Sequence, residues 1–145
     1  MPTQLAELQQ VRDGTCPPPP IAGLIGFTLS AVAPREAVIE LVAGRQHANP
    51  MGTLHGGVLC DIADAAMGIA YASTLAEGET FATLELKINF LKPVWTAKLR
   101  AAGRIVKRGK TVGLLECDIT DEQQHLVARA SSTCMTLRGE DARSR

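Results

Sequence analysis

Leu5, Leu8 and Val11 recur at the spacing of one helix face, which predicts a short amphipathic helix over residues 3–13 that stops at Gly14. Four consecutive prolines, Pro17 to Pro20, then predict an extended crossing, because each ring fixes φ and removes the N–H a helix needs. From Leu24 to Ala43 the residues are β-branched and apolar with a break at Ala33-Pro34-Arg35-Glu36, the pattern of two strands and a turn. Gly44 to Leu54 reads as a loop with little regular structure. Between Gly56 and Thr74 apolar residues occur on almost every side of a helical wheel, so that helix must be wrapped by other elements. Glu79 to Phe90, Thr96 to Lys107, Thr111 to Thr120 and Leu126 to Leu137 then alternate or run β-rich, and the polar tail over 139–145 is expected to fray.

Strand, strand, helix, then four strands with short turns predicts an α+β architecture: a twisted antiparallel sheet wrapped around one long central helix. The whole chain, 1–145, is expected to be one domain, with 1–20 as an N-terminal helix and proline crossing. Its 145 residues, 46% of them hydrophobic, are enough for a self-sufficient core without disulfide or structural metal. Fifteen Lys+Arg against 15 Asp+Glu leave no net charge, which sets aside a nucleic-acid binder. The N-terminus lacks an apolar stretch of signal-peptide length, and two aspartates interrupt the apolar run from Val58 to Ala72. A cytoplasmic protein with no membrane association is therefore expected. Cys16, Cys60, Cys117 and Cys134 show no paired spacing and read as reduced thiols.

Asp61 and Asp64 are the only ionised side chains between Gly56 and Thr74, and burying an unpaired carboxylate costs several kcal/mol. Asp64 falls about 20° from Gly57 and Tyr71 and about 40° from Gly68 on the wheel, a stripe of mostly small residues that admits a ligand or a partner chain. Asp61, near the first turns, is accounted for by the helix dipole alone. For Asp64 a solvated helix face is the plain alternative to a carboxylate whose pKa is lifted in a partly dry cleft and which acts as general base or nucleophile. Just upstream runs Asn49-Pro50-Met51-Gly52-Thr53-Leu54-His55-Gly56-Gly57. Free N–H groups at the helix start, with no side chain on Gly56 or Gly57, are how a carbonyl or oxyanion site is built.

The set Asn49, Gly52, His55, Gly56, Gly57 and Asp64, with Thr83 to Pro93 and Arg108-Gly109-Lys110-Thr111 further on, resembles the hotdog-fold acyl-CoA thioesterases of the phenylacetate-pathway (PaaI-like) type over roughly residues 20 to 138. The resemblance implies hydrolysis of an acyl- or aryl-CoA thioester to free acid and coenzyme A, without metal or other cofactor. It also implies a homodimer with active sites at the subunit boundary, dimers pairing into tetramers. The amide matching Gly56, helped by Asn49, would bind the thioester carbonyl, and His55 would lie near the departing thiolate. Asp64, with the hydroxyl matching Thr83 from the facing subunit, would orient and deprotonate water or attack directly. Coenzyme A would run along Phe90, Leu91 and Lys92 and along the basic turn Lys107, Arg108, Gly109, Lys110 and Thr111, with Arg138 a weaker candidate.

Strand alternation places Thr83 with Glu85 and Lys87, opposite Leu84, Leu86 and Ile88, and so pointing away from its own helix. Met67 and Tyr71 read as core or acyl-pocket lining. His47, His55 and His125 lack the spacing of a zinc site, and His47 and His125 read as loop residues. Two other classes stay open: a hotdog-fold dehydratase or hydratase acting on acyl thioesters, and a non-catalytic acyl-CoA-binding module.

Overall fold

The computed structural model describes residues 3–145. Helix α1 (Gln4–Arg12) starts where the Thr3 hydroxyl accepts the Ala6 N–H, and the chain leaves it at Gly14 with φ +78°. The extended proline crossing ends one residue early. Pro20 opens a short helix α2 (Pro20–Ile25), since a proline fits a helix's first position, where its missing N–H would be unpaired anyway. Gly26 closes it at φ 94°, so the first strand starts at Phe27 instead of Leu24.

Strands β1 (Phe27–Ala33) and β2 (Glu36–Ala43) form the expected hairpin. The following loop is more ordered than its composition suggests, with a 3₁₀ turn at Arg45–His47 and a bridge between Ala48 and Leu54. Helix α3 (Gly56–Ala72) then leads to β3 (Thr80–Phe90), β4 (Ala97–Arg108), β5 (Val112–Thr120) and β6 (Leu126–Leu137). The tail is not wholly frayed: Gly139 redirects it into a one-turn helix, α4 (Glu140–Arg143), with acids in its first turn and Arg143 at its end, where each suits the dipole.

The strands make one six-stranded sheet in the order β1-β2-β4-β5-β6-β3, antiparallel at every pairing, wrapped around α3. Ile62, Ala63, Ala66, Met67, Ala70 and Tyr71 of α3 are fully buried against Ile39, Leu99, Leu115, Ile119 and Val127 of the sheet and its turns. Met67 and Tyr71 are thus core. The Tyr71 hydroxyl hydrogen-bonds to Thr136 Oγ1 at 2.8 Å and its ring lies 4.4 Å beneath the Arg108 guanidinium.

Helix and sheet meet backbone to side at Gly103, where an added Cβ would stand 2.6 Å from the Ala66 carbonyl carbon and 2.8 Å from the Met67 nitrogen. Main chain in mid-helix cannot step aside as a side-chain tip can. Gly103→Ala is therefore expected to cost about 2–3 kcal/mol and to lower Tm by roughly 5–10 °C in a thermal melt. A melt superposable on wild type's would mean that helix and sheet are not in this contact.

Candidate active site

The helix start is built from a self-bonded loop. Asn49 Oδ1 accepts the Met51 and Thr53 N–H groups at 3.0 and 3.1 Å, and Asn49 Nδ2 donates to Thr53 Oγ1 at 2.6 Å. One Nδ2 proton remains for a further acceptor. His55 is the helix N-cap, its Nδ1 accepting the Gly57 N–H at 2.8 Å, which places the neutral ring's proton on Nε2. No hydrogen bond among the described residues uses the Gly56 N–H. That donor sits at the positive end of a helix of 17 residues.

Asn49, Gly56, Phe90, Leu91 and Lys92 come together around one cavity of about 400 Å³. Gly56 matters sterically as well, because a Cβ there would come within 2.8 Å of the Phe90 ring. Lys92 is tethered at this rim, its ammonium 2.5 Å from Asp121 Oδ2 and 3.2 Å from His125 Nδ1. The ammonium, and behind it the His125 and Gln123 N–H groups, hold the Asp121 pKa down at about 2. His125 is a turn residue as expected. His47 is not a simple loop residue: it is buried, with Nε2 2.6 Å from the Ile25 carbonyl and Nδ1 accepting the Gly44 N–H, and it ties α2 to the loop before α3.

Asp64 faces a different cavity, of about 290 Å³, shared with Asp61 and Thr83 and otherwise almost wholly apolar. In the single chain Asp64 is exposed, as a solvated helix face would have it, while its other side meets the cavity. Loss of hydration among these apolar neighbours nevertheless raises its pKa; the hydrogen bond with Thr83 pulls the other way and the Asp61 charge adds to the rise.

Two expectations about Thr83 need correction. It belongs to the same chain as the Asp64 it contacts, and it points toward its own helix, its Oγ1 3.6 Å from the buried Cys134 Sγ. The cause is a β-bulge between Thr83 and Glu85. Ahead of the bulge Phe81 and Thr83 face α3; beyond it Leu86 and Ile88 do, so the alternation changes phase at Leu84. A uniform two-residue period cannot register an inserted residue.

The basic turn stands apart from both cavities. Arg108 Nε donates to Thr74 Oγ1 just past the C-terminal end of α3, while Gly56 opens the helix about 24 Å away at 1.5 Å per residue. Arg108 also covers Tyr71 and bonds to the Gly109 carbonyl, so it is structural within the chain. Lys107, Lys110 and Thr111 are exposed. Arg138 is paired with Glu79 at 2.8 Å.

Residues from the N-terminal segment were not expected at the site, yet Val11, Pro18, Pro19, Ile21 and Ala22 line the Asp64 cavity. The Leu5, Leu8, Val11 stripe is the signal that this helix must pack somewhere. Nothing in its spacing says where.

A curved antiparallel sheet closed around one helix, with a free amide at the helix start and a carboxylate two turns on, defines a hotdog-fold protein. The chain belongs to the thioesterase superfamily, whose family profile matches residues 51–128. Within it the likeness is to the PaaI-like branch. A thioesterase-like, phenylacetic acid degradation-related protein from Ralstonia eutropha JMP134 superposes with a TM-score of 0.80 at 30% identity, over 88% of this chain and 98% of that one. An esterase-like relative in Saccharolobus solfataricus is 32% identical over 70% of this chain and 72% of its own length. Mouse (Mus musculus) acyl-coenzyme A thioesterase 13 is 28% identical over 66% of this chain and 68% of its own.

Proposed function

We propose that the protein is an acyl-CoA thioesterase whose complete active site takes two copies of the chain. The observation that carries this is the Asp64 carboxylate, which lines an apolar cavity together with Thr83, while the free Gly56 amide opens on another. About 12 Å of helix separates the two groups within a chain, too far for both to touch one carbonyl. A second copy brings its helix start to the first copy's carboxylate.

In that arrangement the Gly56 N–H, with the spare Asn49 Nδ2 proton, polarises the thioester carbonyl. Asp64 takes a proton from a water that Thr83 helps to hold, and the resulting hydroxide attacks the carbonyl carbon. The tetrahedral intermediate collapses with loss of the coenzyme A thiolate, close to His55, and Asp64 gives up its proton to solvent to restore the base. Pantetheine lies along Phe90, Leu91 and Lys92. Lys107 and Lys110 meet the phosphates, with Gly109 and Thr111 shaping their turn, whereas Arg108 is held on Tyr71. No helix among the described residues is long and apolar enough to cross a membrane, and the reading places the enzyme in the cytoplasm as a dimer or dimer of dimers.

Free-thiol release from a panel of aryl, short-, medium- and long-chain CoA thioesters tests the reading. Turnover of at least one member at a kcat on the order of 1–10 s⁻¹ is expected. Silence on the whole panel, with water loss from a 3-hydroxyacyl thioester instead, would make it a dehydratase.

A further inference from the structure

One wall of the Asp64 cavity is made by the N-terminal segment, which, like the Phe27, Leu29 and Ile39 contributions of β1 and β2, lies outside the matched family region. That segment is firmly seated. Leu5 and Leu8 of α1 pack on the core, Gln4 Nε2 donates to the Glu79 carbonyl at 3.2 Å, and the Thr15 and Cys16 N–H groups both return to the Gln10 carbonyl, folding the chain back after Gly14. Pro18 and Pro19 then cross the cavity as a stiff, extended stretch with fixed φ, and Ile21 and Ala22 of α2 complete the wall. Phe81, whose ring rests on Gly68, stands among the other lining residues.

We infer that this segment is the specificity-determining wall of the cavity, with Val11 and Ile21 setting the length of acyl group that reaches Asp64 and Thr83. The inference rests on the thioesterase reading for the identity of the occupant. The size of the space supports it: about 290 Å³ is roughly twice the cavity that holds one benzene, which leaves room for roughly twelve non-hydrogen atoms. Pro18 and Pro19, with fixed φ, leave that wall little freedom to move aside for a longer chain. Two carboxylates, Asp61 and Asp64, on the same apolar cavity also disfavour an acyl group that ends in an anion.

The test uses the full chain in two variants of opposite sense, each first checked for an unchanged far-UV spectrum. Val11→Ala with Ile21→Ala opens the wall, and Val11→Phe fills it. Measured as kcat/KM for hexanoyl-, decanoyl- and tetradecanoyl-CoA, the opened wall is expected to raise the tetradecanoyl-to-hexanoyl ratio by about tenfold or more. The filled one should lower the decanoyl-to-hexanoyl ratio by a similar factor, since single methylenes in such pockets discriminate by about 10-fold or more. Ratios within twofold of wild type in both variants would overturn the assignment while leaving the hydrolase reading intact. A parallel readout needs no turnover: the Tm shift given by hexanamide and tetradecanamide, in wild type and opened wall. Should wild type cleave no thioester, a gain of tetradecanamide stabilisation on opening upholds the wall and discards only the hydrolase reading; no gain discards the wall as well.

Discussion

Asp64→Asn is expected to lower kcat by about 10²–10⁴-fold and to leave KM nearly unchanged, because the substitution keeps the shape and the hydrogen-bonding reach to Thr83 but removes the basic lone pair. Steady-state kinetics on whichever thioester the wild type prefers provide the check. A fall of only about tenfold, roughly 1.4 kcal/mol, would make Asp64 an accessory and leave the proton to another group. The pH profile follows from the direction of the Asp64 shift. Desolvation raises its pKa above the ordinary 3.8, so the acid limb of kcat/KM in wild type should have its midpoint above that value, and the limb should vanish in the variant. The stability consequence has the opposite sense from a salt-bridged acid. A carboxyl with a raised folded-state pKa leaves stability intact below 3.8 and loses it as pH rises through the folded value, so Asp64→Asn should melt above wild type at pH 7 and the gap should close in acid. Base and nucleophile separate by turnover in heavy-oxygen water, where only an attacking Asp64 gathers label in its own carboxylate.

How much of this was readable in advance divides along one physical line. Periodicity located α3 and all six strands to within a few residues, because their burial is set by local pattern. Asp64 stood out for the same reason, as a charge where the helix is apolar. What the pattern did not carry was any feature made by one residue's geometry. The bulge beside Thr83 reverses which face the strand presents, Pro20 starts a helix that the prolines before it do not, and the His47 ring is buried by a partner, Ile25, that lies far off in sequence. The basic turn shows the same limit. Lys107 and Lys110 are exposed as a cationic patch would have them, while Arg108 folds inward to Tyr71 and Thr74 at the opposite end of α3 from Gly56. Placement across the helix is a tertiary fact, and charge composition has no access to it.

Gly56→Pro isolates the other half of the chemistry, the backbone amide. A proline there deletes the one N–H that no internal acceptor uses, and it does so at a helix's first position, which suits a proline ring. The preceding residue is also compatible: His55 has φ −64° and ψ 131°, the extended conformation a proline demands of its neighbour. The ring atoms would meet Phe90, but that side chain is 56% exposed and can swing outward. The variant should therefore melt close to wild type yet lose about 10²–10³-fold in kcat, the usual effect of removing one oxyanion donor. Retention of full rate would move the carbonyl away from this helix start. Coupled with Asp64→Asn the same variant reports on the assembly. If each site draws its amide from one copy and its carboxylate from the other, co-refolding the two defective chains yields mixed dimers with one intact site, and about a quarter of the wild-type rate returns. If both groups serve a site within one chain, each chain stays defective and the mixture remains as inactive as its parts.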